Sequence, residues 1–168
     1  MLQKLLVFCM ITFCAITLHA QAPFDTIPPY KKDNRMPAFK IMRLDNTWFS
    51  KEQLPKQDYT IIIYFAPDCG HCQHEMKEII KNIDKFKKVN FLWVSYKSMP
   101  EISEFYVKYE ISKYPNMFMG RDLDYKLPSF YRVKMTPFVA VYDKNNLFIK
   151  AFEGGAEMKE LFPVLKLN

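Results

Sequence analysis

The sequence predicts an α/β domain of three layers, in which helices flank a central mixed β-sheet. An apolar, β-branched run at 59–65 leads directly into a segment of helical period, and a second apolar run follows at 89–96. This is the pattern of a βαβ unit with parallel strands and a right-handed crossover. Nearer the C-terminus, two apolar runs flank residues 143–146, DKNN, which indicates an antiparallel β-hairpin.

The first 20 residues have the pattern of a secretory signal peptide. Lys4 precedes an uncharged run of 14 residues from Leu5 to Leu18, and the small residue Ala20 follows. Because a membrane span takes roughly 20 apolar residues, the pattern favours cleavage after Ala20 over a membrane anchor formed by this segment. We therefore expect an exported, periplasmic protein, with membrane attachment as the alternative if the segment is uncleaved.

The remaining chain divides into a short tether and one domain. Residues 21–37 hold four prolines and show little periodicity, which predicts an extended tether. Residues 38–168 are of ordinary size for a single domain with its own core. No internal repeat is visible.

Within the domain, the remaining elements follow from local pattern. Residues 39–49, FKIMRLDNTWF, indicate an extra N-terminal strand or hairpin, and 99–109 indicate a helix with a proline in its first turn. Residues 114–131 are predicted to be irregular, apart from a short helix around 128–131. A last amphipathic helix is predicted at about 156–165. The predicted order is β-α-β-α-β-β-α after the N-terminal strand or hairpin.

Charge argues against nucleic acid as a partner. The formal net charge is +6, but the lysines alternate with acidic residues in runs such as KEIIKNIDKFKK. Such alternation is typical of a solvated helix face rather than of a basic binding patch. Export also separates the protein from nucleic acid.

Cysteine usage indicates chemistry rather than a structural disulfide. Cys9 and Cys14 lie in the predicted signal peptide, so only Cys69 and Cys72 remain. A loop closed between positions this near constrains almost nothing in the unfolded chain. A Cys-x-x-Cys pair can instead be a redox centre or part of a metal site.

The metal alternative lacks ligands for zinc but not for copper. A structural zinc site usually takes four protein ligands, and the chain has no second Cys-x-x-Cys and no suitable His pair. Two thiolates can suffice for Cu(I), so a Cu(I) or other metal-binding module stays open as a function of another class. Our prediction is a redox-active Cys69–Cys72 pair with neither metal nor other cofactor.

The position of the pair predicts distinct roles for its two thiols. Cys69 would lie at the N-terminal end of the helix, where free N–H groups and the helix dipole stabilise a thiolate. Cys69 is then the nucleophile, and Cys72, one turn deeper, resolves the mixed disulfide. A positive charge on His71 would stabilise the thiolate further. Glu75, one turn after Cys72, is either a proton-exchange partner of that thiol or a surface glutamate.

Two segments, FAPDCGHCQHEM at 65–76 and KMTPFVAVYD at 134–143, resemble motifs of the thioredoxin superfamily, and within it of the exported TlpA/ResA-like thiol:disulfide interchange proteins. The resemblance covers 38–168 and implies a thioredoxin-like three-layer sandwich. It implies that Glu75 lies beside the redox centre and tunes it. It also implies a cis Pro137 that packs, with Thr136, against the cysteines. Thr136, Pro137 and Gly70 would then contact the bound polypeptide.

The chain departs from the family pattern at two positions. Ile63 stands where thioredoxins have a buried Asp, so no proton transfer can run through that position. Asp68 replaces the usual Trp before the first cysteine, and its charge would oppose the thiolate.

The direction of electron flow stays open in the sequence. Family context favours a reductase in cytochrome c maturation or general disulfide reduction. The dipeptide Gly70-His71, which resembles that of protein disulfide isomerases, favours an oxidase or isomerase instead. The expected partners are protein disulfides or dithiols and an upstream membrane thiol reductant or oxidant.

Overall fold

The computed structural model describes residues 26–167 and is built on a seven-stranded mixed β-sheet. The predicted signal peptide lies outside the described residues. The strands are Lys40–Met42 (β1), Trp48–Ser50 (β2), Tyr59–Tyr64 (β3), Val89–Ser95 (β4), Met117–Arg121 (β5), Phe138–Asp143 (β6) and Phe148–Glu153 (β7), in the spatial order β2-β1-β5-β4-β3-β6-β7. The helices are Pro29–Lys32 (α1), Gly70–Lys81 (α2), Met99–Lys108 (α3), Lys126–Tyr131 (α4) and Met158–Val164 (α5).

The predicted βαβ unit is confirmed and forms the centre of the fold. Strand β3 pairs parallel to β4, with α2 as the crossover between them, and pairs antiparallel to β6 on its other side. Because β3 has a neighbour on both edges and helices on both faces, almost all of its side chains are buried. This explains why its sequence is continuously apolar rather than alternating.

Alternate residues of the sheet pack into two hydrophobic cores, one on each face. Ile61 and Ile63 of β3 face the core that includes Cys72 and Met76 of α2. Residues of opposite parity in the same strand face a second core under α1 and α4. This is the period-two alternation of a strand covered on both faces, and it gives the three layers that the sequence predicts.

The prediction of an irregular segment at 114–131 was wrong in its first half. Met117–Arg121 forms β5, which pairs parallel to β4 and antiparallel to β1 at Met42. Gly120 weakens the local strand signal, yet the sheet requires it. A Cβ at this position would lie 2.6 Å from the backbone oxygen of Met42. The strand is therefore specified by its neighbours rather than by its own pattern.

The second half of the predicted tether packs on the domain. Residues 29–32 form α1, and Arg35 makes an isolated antiparallel bridge with Leu147. Tyr30 and Met36 are buried. The Tyr30 ring contacts the rings of Tyr131, Phe138 and Phe148. The folded unit therefore begins before residue 38. Burial of these two large apolar side chains stabilises the packed arrangement, whereas an extended tether would leave them in water.

The remaining predicted elements are present with small shifts of their ends. Strands β1 and β2 form the expected N-terminal hairpin, with β2 at the edge of the sheet, and β6 and β7 form the second hairpin. The terminal helix spans Met158–Val164, somewhat shorter than expected. Between residues 26 and 167, no helix is both long and apolar enough to cross a membrane.

Candidate active site

Cys69 caps the N-terminus of α2 with its own side chain. Its sulfur accepts a hydrogen bond from the backbone N–H of Cys72 at 3.3 Å, and the residue is partly exposed. Partial burial acts to raise the pKa of the Cys69 thiol. Hydrogen bonds from the side chain and backbone of Cys72, together with one from the His71 backbone, outweigh burial, so the pKa lies below its ordinary value.

Cys72 lies one turn deeper and is fully buried, and the two cysteines are not joined by a disulfide. Burial, with the hydrogen bond between the two sulfurs as a smaller cause, raises the pKa of the Cys72 thiol to about 12. The pair is therefore strongly asymmetric. One thiol is partly exposed and has a pKa below its ordinary value, whereas the other is buried and has a pKa well above it.

The Thr136–Pro137 segment lies against the cysteines. The peptide bond between the two residues is cis, as the family resemblance implies. The Cys69 thiol donates a hydrogen bond to the carbonyl oxygen of Thr136 at 3.5 Å. The structure thus brings Thr136 against Cys69, 67 positions earlier in the sequence, and it leaves Thr136 partly exposed at the rim.

Glu75 is a buried carboxyl group, not a surface glutamate. The residue is only 5% exposed. Its Oε2 accepts a hydrogen bond from the backbone N–H of Ala156 at 2.9 Å, while its Oε1 has no hydrogen-bond partner. Burial raises the pKa of Glu75 to about 7, and the hydrogen bond from Ala156 offsets only part of this effect. The group can therefore hold or release a proton near neutral pH.

The loop at 154–156 belongs to the site, although no motif in the sequence assigns it there. A Cβ on Gly155 would lie 2.8 Å from Oε2 of Glu75 and 3.3 Å from Cγ of Pro137, so this glycine sits between the carboxylate and the cis-proline. Both Gly154 and Gly155 have positive φ. The Gly154-Gly155 pair just before the last helix is the one signal in the sequence that marks this loop.

The other predicted site residues, Gly70 and His71, are exposed at the start of α2. A Cβ on Gly70 would meet no heavy atom within 4 Å, so nothing in the folded chain demands glycine there. His71 contributes its backbone to Cys69, but its ring makes no hydrogen bond within residues 26–167. The tuning role expected for His71 stays a prediction.

Asp68 does not act on Cys69 as a lone negative charge. Its carboxylate pairs with Lys97 at 3.0 Å, and Lys97 also lies 3.7 Å from Glu101. The hydrogen bond from Lys97 is the main cause that lowers the pKa of Asp68. Lys97 was not singled out in the sequence, because no local pattern connects it to a residue 29 positions earlier.

Metal ligands are not assembled at the site. In the part of the chain that the structure describes, no three His, Cys, Asp or Glu side chains are placed to hold a metal ion. Ligation of Cu(I) by the two cysteine thiolates alone needs only two ligands, so it differs from such a cluster.

Comparison of the sequence with known protein families shows which family the chain belongs to. The model of the AhpC/TSA family matches residues 33–161, which is most of the chain. The chain belongs to the AhpC/TSA family. No curated protein sequence matches it. Membership of this family, within the thioredoxin superfamily, agrees with the resemblance seen in the sequence.

Solved structures confirm the thioredoxin-like fold. A putative thioredoxin from Neisseria meningitidis is similar with a TM-score of 0.65 and 20% identity, over 80% of this chain and 89% of that chain. A secreted Mycobacterium tuberculosis disulfide oxidoreductase, homologous to E. coli DsbE, has a TM-score of 0.63 and 17% identity, over 76% and 94% of the two chains. The exposed lipoprotein thioredoxin of Streptococcus pneumoniae has a TM-score of 0.57 and 22% identity, over 77% and 98%.

Family and fold agree with the chemistry that the geometry allows. A partly exposed thiol with a lowered pKa, next to a buried thiol, can form a mixed disulfide that the buried thiol then resolves. This AhpC/TSA family member is therefore a thioredoxin-like thiol:disulfide oxidoreductase.

Proposed function

We propose that the protein is an exported reductase of the TlpA-like type, which transfers two electrons from its Cys69–Cys72 dithiol to disulfides of client proteins. The observation that carries this proposal is the asymmetry of the two thiols. Cys69 is partly exposed with a lowered pKa, whereas Cys72 is buried with a pKa raised to about 12. No cofactor beyond this pair is needed for the exchange.

The exchange proceeds in two substitutions at sulfur. The Cys69 thiolate attacks one sulfur of the client disulfide, so that a Cys69–client disulfide forms and the client's other cysteine leaves as a thiolate. Cys72 then loses its proton and attacks the Cys69 sulfur. The Cys69–Cys72 disulfide forms, and the client's first cysteine leaves as its second thiolate. The client gains two electrons and the protein loses two.

Glu75 supplies the base for the second substitution in this proposal. The Cys72 thiol must ionise before it can attack, and its high pKa opposes this. Glu75 lies one helical turn further along α2, and its Oε1 has no partner. With a pKa near neutrality, its carboxylate can accept a proton when Cys72 releases one.

The causes of the lowered Cys69 pKa favour a reductase over an oxidase or isomerase. A strongly stabilised thiolate makes a disulfide oxidising, as in DsbA. Here the causes that lower the Cys69 pKa are all hydrogen bonds, and no cationic side chain is among them. Without a cation beside it, the thiolate lacks one of the stabilising charges that make a disulfide oxidising, and this favours the reductase.

The setting follows from the sequence and the family resemblance. The signal-peptide pattern directs the protein outside the cytoplasm, where a membrane thiol reductant would restore the dithiol. Clients would be proteins with disulfides to be reduced, either in cytochrome c maturation or in general disulfide reduction.

The reduction potential of the Cys69–Cys72 pair tests the direction of the reaction. Equilibration against dithiothreitol or glutathione buffers should give a value closer to the roughly −270 mV of thioredoxin than to the roughly −120 mV of DsbA. A value at the oxidising end would instead support the oxidase or isomerase alternative. A pair that binds Cu(I) but does not cycle between dithiol and disulfide would replace the redox proposal by metal binding.

A trapping experiment tests the order of the two thiols. Cys72→Ser should accumulate a stable mixed disulfide with an oxidised client, since the resolving thiol is missing. The matched variant Cys69→Ser should form none, because Cys72 is fully buried. Trapping by Cys69→Ser and not by Cys72→Ser would contradict the assigned roles.

A further inference from the structure

A tight turn, residues 66–69, joins β3 to α2 and ends at Cys69. The backbone N–H of Cys69 donates a hydrogen bond to the carbonyl oxygen of Ala66 at 3.1 Å, which closes a four-residue β-turn with Pro67 at its second position. The ring of Pro67 fixes φ at a value that suits this position. The φ of Asp68 is not positive, so the turn is not of type II. The position of Cys69 therefore depends on the form of this turn.

The central peptide group of the turn, between Pro67 and Asp68, is not held by the hydrogen bond that closes the turn. The two common types of β-turn differ mainly in this group, which is rotated by roughly half a revolution from one type to the other. Such a rotation would move the Asp68 and Cys69 side chains relative to α2. A contact that fixes the carbonyl oxygen of Pro67 therefore fixes the turn.

Gln73 of α2 makes this contact. Its side-chain Nε2 donates a hydrogen bond to the carbonyl oxygen of Pro67 at 2.9 Å. Its backbone N–H donates to the carbonyl oxygen of Cys69 at 3.0 Å. Gln73 is thus bonded to the turn on both sides of Asp68. The turn, Cys69 and the start of α2 are joined into one unit by this single residue.

Lys108, the last residue of α3, orients the Gln73 amide. Its Nζ donates a hydrogen bond to Oε1 of Gln73 at 3.2 Å. Because an ammonium group only donates and a carbonyl oxygen only accepts, Oε1 must face Lys108 and Nε2 must face Pro67. A charged donor on Oε1 also polarises the amide and strengthens the bond that Nε2 donates. The contact with Pro67 is therefore supported from a second helix.

The thiol of Cys69 depends on the position of the turn. Its sulfur accepts a hydrogen bond from the Cys72 N–H at 3.3 Å and lies 3.5 Å from the carbonyl oxygen of Thr136. Hydrogen bonds weaken steeply when donor and acceptor lose alignment. A displaced turn would therefore stabilise the Cys69 thiolate less and would present it to a client disulfide at a different angle.

We propose that Gln73 is a positioning residue, whose side chain locks the central peptide group of the 66–69 turn and so holds the Cys69 sulfur in the orientation that attacks a disulfide. The inference rests on the nucleophile role proposed for Cys69 above. Gln73 acts through the backbone of Pro67 and makes no hydrogen bond to the sulfur of Cys69 or of Cys72 within the described residues.

The variant Gln73→Met tests this role, because it keeps the length and the helix propensity of the side chain but donates no hydrogen bond. Alkylation of Cys69 by iodoacetamide, followed in the dithiol form from about pH 6 to about pH 10, should have its midpoint about half a pH unit higher than in the wild type. At pH 7, alkylation and the stopped-flow reduction of an oxidised peptide should both slow by about threefold. Gln73→Asn keeps the amide but is one methylene shorter, and it should behave as Gln73→Met does.

Asn82, at the other end of α2, offers a matched control. Its Nδ2 donates a hydrogen bond to the carbonyl oxygen of Glu78 at 2.9 Å, which is the same kind of contact from a side-chain amide to the backbone. Asn82→Leu should lower the free energy of unfolding but keep the wild-type alkylation profile. If Gln73→Met also lost only stability and kept the wild-type profile, Gln73 would be merely structural and the inference would be overturned.

The wild type separates failure of this inference from failure of the proposed function. A wild-type protein that does not reduce the oxidised peptide, while dithiothreitol does, would overturn the proposed function itself. A wild type that reduces the peptide, together with wild-type rates in both Gln73→Met and Gln73→Asn, would overturn only the positioning role of Gln73.

Discussion

The backbone N–H of Ala156 donates a hydrogen bond to Oε2 of Glu75 at 2.9 Å, across 81 positions of sequence. This contact ties the loop before α5 to the helix that carries both cysteines. It orients the carboxyl group, whose other oxygen, Oε1, is buried and has no hydrogen-bond partner among residues 26–167. The loop is therefore part of the active site.

Replacement of Gly155 by alanine should disturb Glu75. The residue has φ +113°, and a Cβ would lie 2.8 Å from Oε2 of Glu75. Backbone strain should lower the free energy of unfolding by about 1–3 kcal/mol, and displacement of the carboxylate should slow the resolution of mixed disulfides. Denaturant unfolding and stopped-flow reduction of an oxidised peptide measure the two effects.

Gly154→Ala is the matched control for this change. It shares a positive φ, but its Cβ would contact only the sulfur of Met135 at 3.5 Å. We expect a loss of stability with little change in the rate of resolution. Equal slowing in both variants would show that backbone strain, not contact with Glu75, controls the rate.

Glu75→Gln should change how stability depends on pH. The pKa of Glu75 is raised in the folded protein, from 4.5 to about 7, so the folded state binds its proton more tightly than the unfolded state does. The corresponding stability is fully present below about pH 4.5 and is lost as the pH rises to about 7. This loss is on the order of 3 kcal/mol, and the variant should not show it.

Urea unfolding of both forms at pH 4.5 and pH 8 measures the difference. The difference in unfolding free energy, variant minus wild type, should be larger at pH 8 than at pH 4.5. Other groups that titrate in this range are the same in both proteins, so their effect cancels in this difference. Parallel pH profiles for the two proteins would show that Glu75 is not a titrating buried group.

The Asp68–Lys97 pair should set part of the reactivity of Cys69. Lys97→Met leaves the charge of Asp68 uncompensated beside the thiolate, so the pKa of Cys69 should rise and its alkylation at pH 7 should slow by about twofold. Asp68→Asn should act in the opposite direction. The effects are small because Asp68 is solvated.

The double variant Asp68→Asn, Lys97→Met separates this charge effect from a structural one. Its alkylation rate, followed with iodoacetamide across pH 6–10, should return close to that of the wild type, because both charges are gone. A double variant as slow as Lys97→Met alone would mean that Lys97 acts through packing and not through Asp68.

Tyr30→Ala should destabilise the whole domain although it lies outside the predicted domain boundary. The ring is buried and contacts three aromatic rings of the second core. Removal of a buried aromatic side chain typically costs about 3–5 kcal/mol. Chemical unfolding should show this loss, while the neighbouring exposed Lys31→Ala should change stability by less than about 0.5 kcal/mol. Similar small effects for both would mean that α1 does not contribute to the fold.

Sequence alone determined the central βαβ unit, the closing hairpin and the location of the cysteine pair at the start of a helix. These features depend on the burial pattern of consecutive residues, so a run such as 59–65 followed by a helical period shows them directly. The cis-proline segment and the place of Glu75 beside the cysteines came from motif resemblance, not from periodicity.

Only the tertiary structure decided which distant groups complete the site. Strand β5 exists because β4 and β1 offer it hydrogen bonds, and Tyr30 is buried because three rings surround it. Likewise, the environment of Glu75 depends on the backbone of Ala156, and that of Asp68 depends on Lys97. Such contacts leave no periodic trace in the chain, since their free energy comes from pairs of residues that meet only after folding.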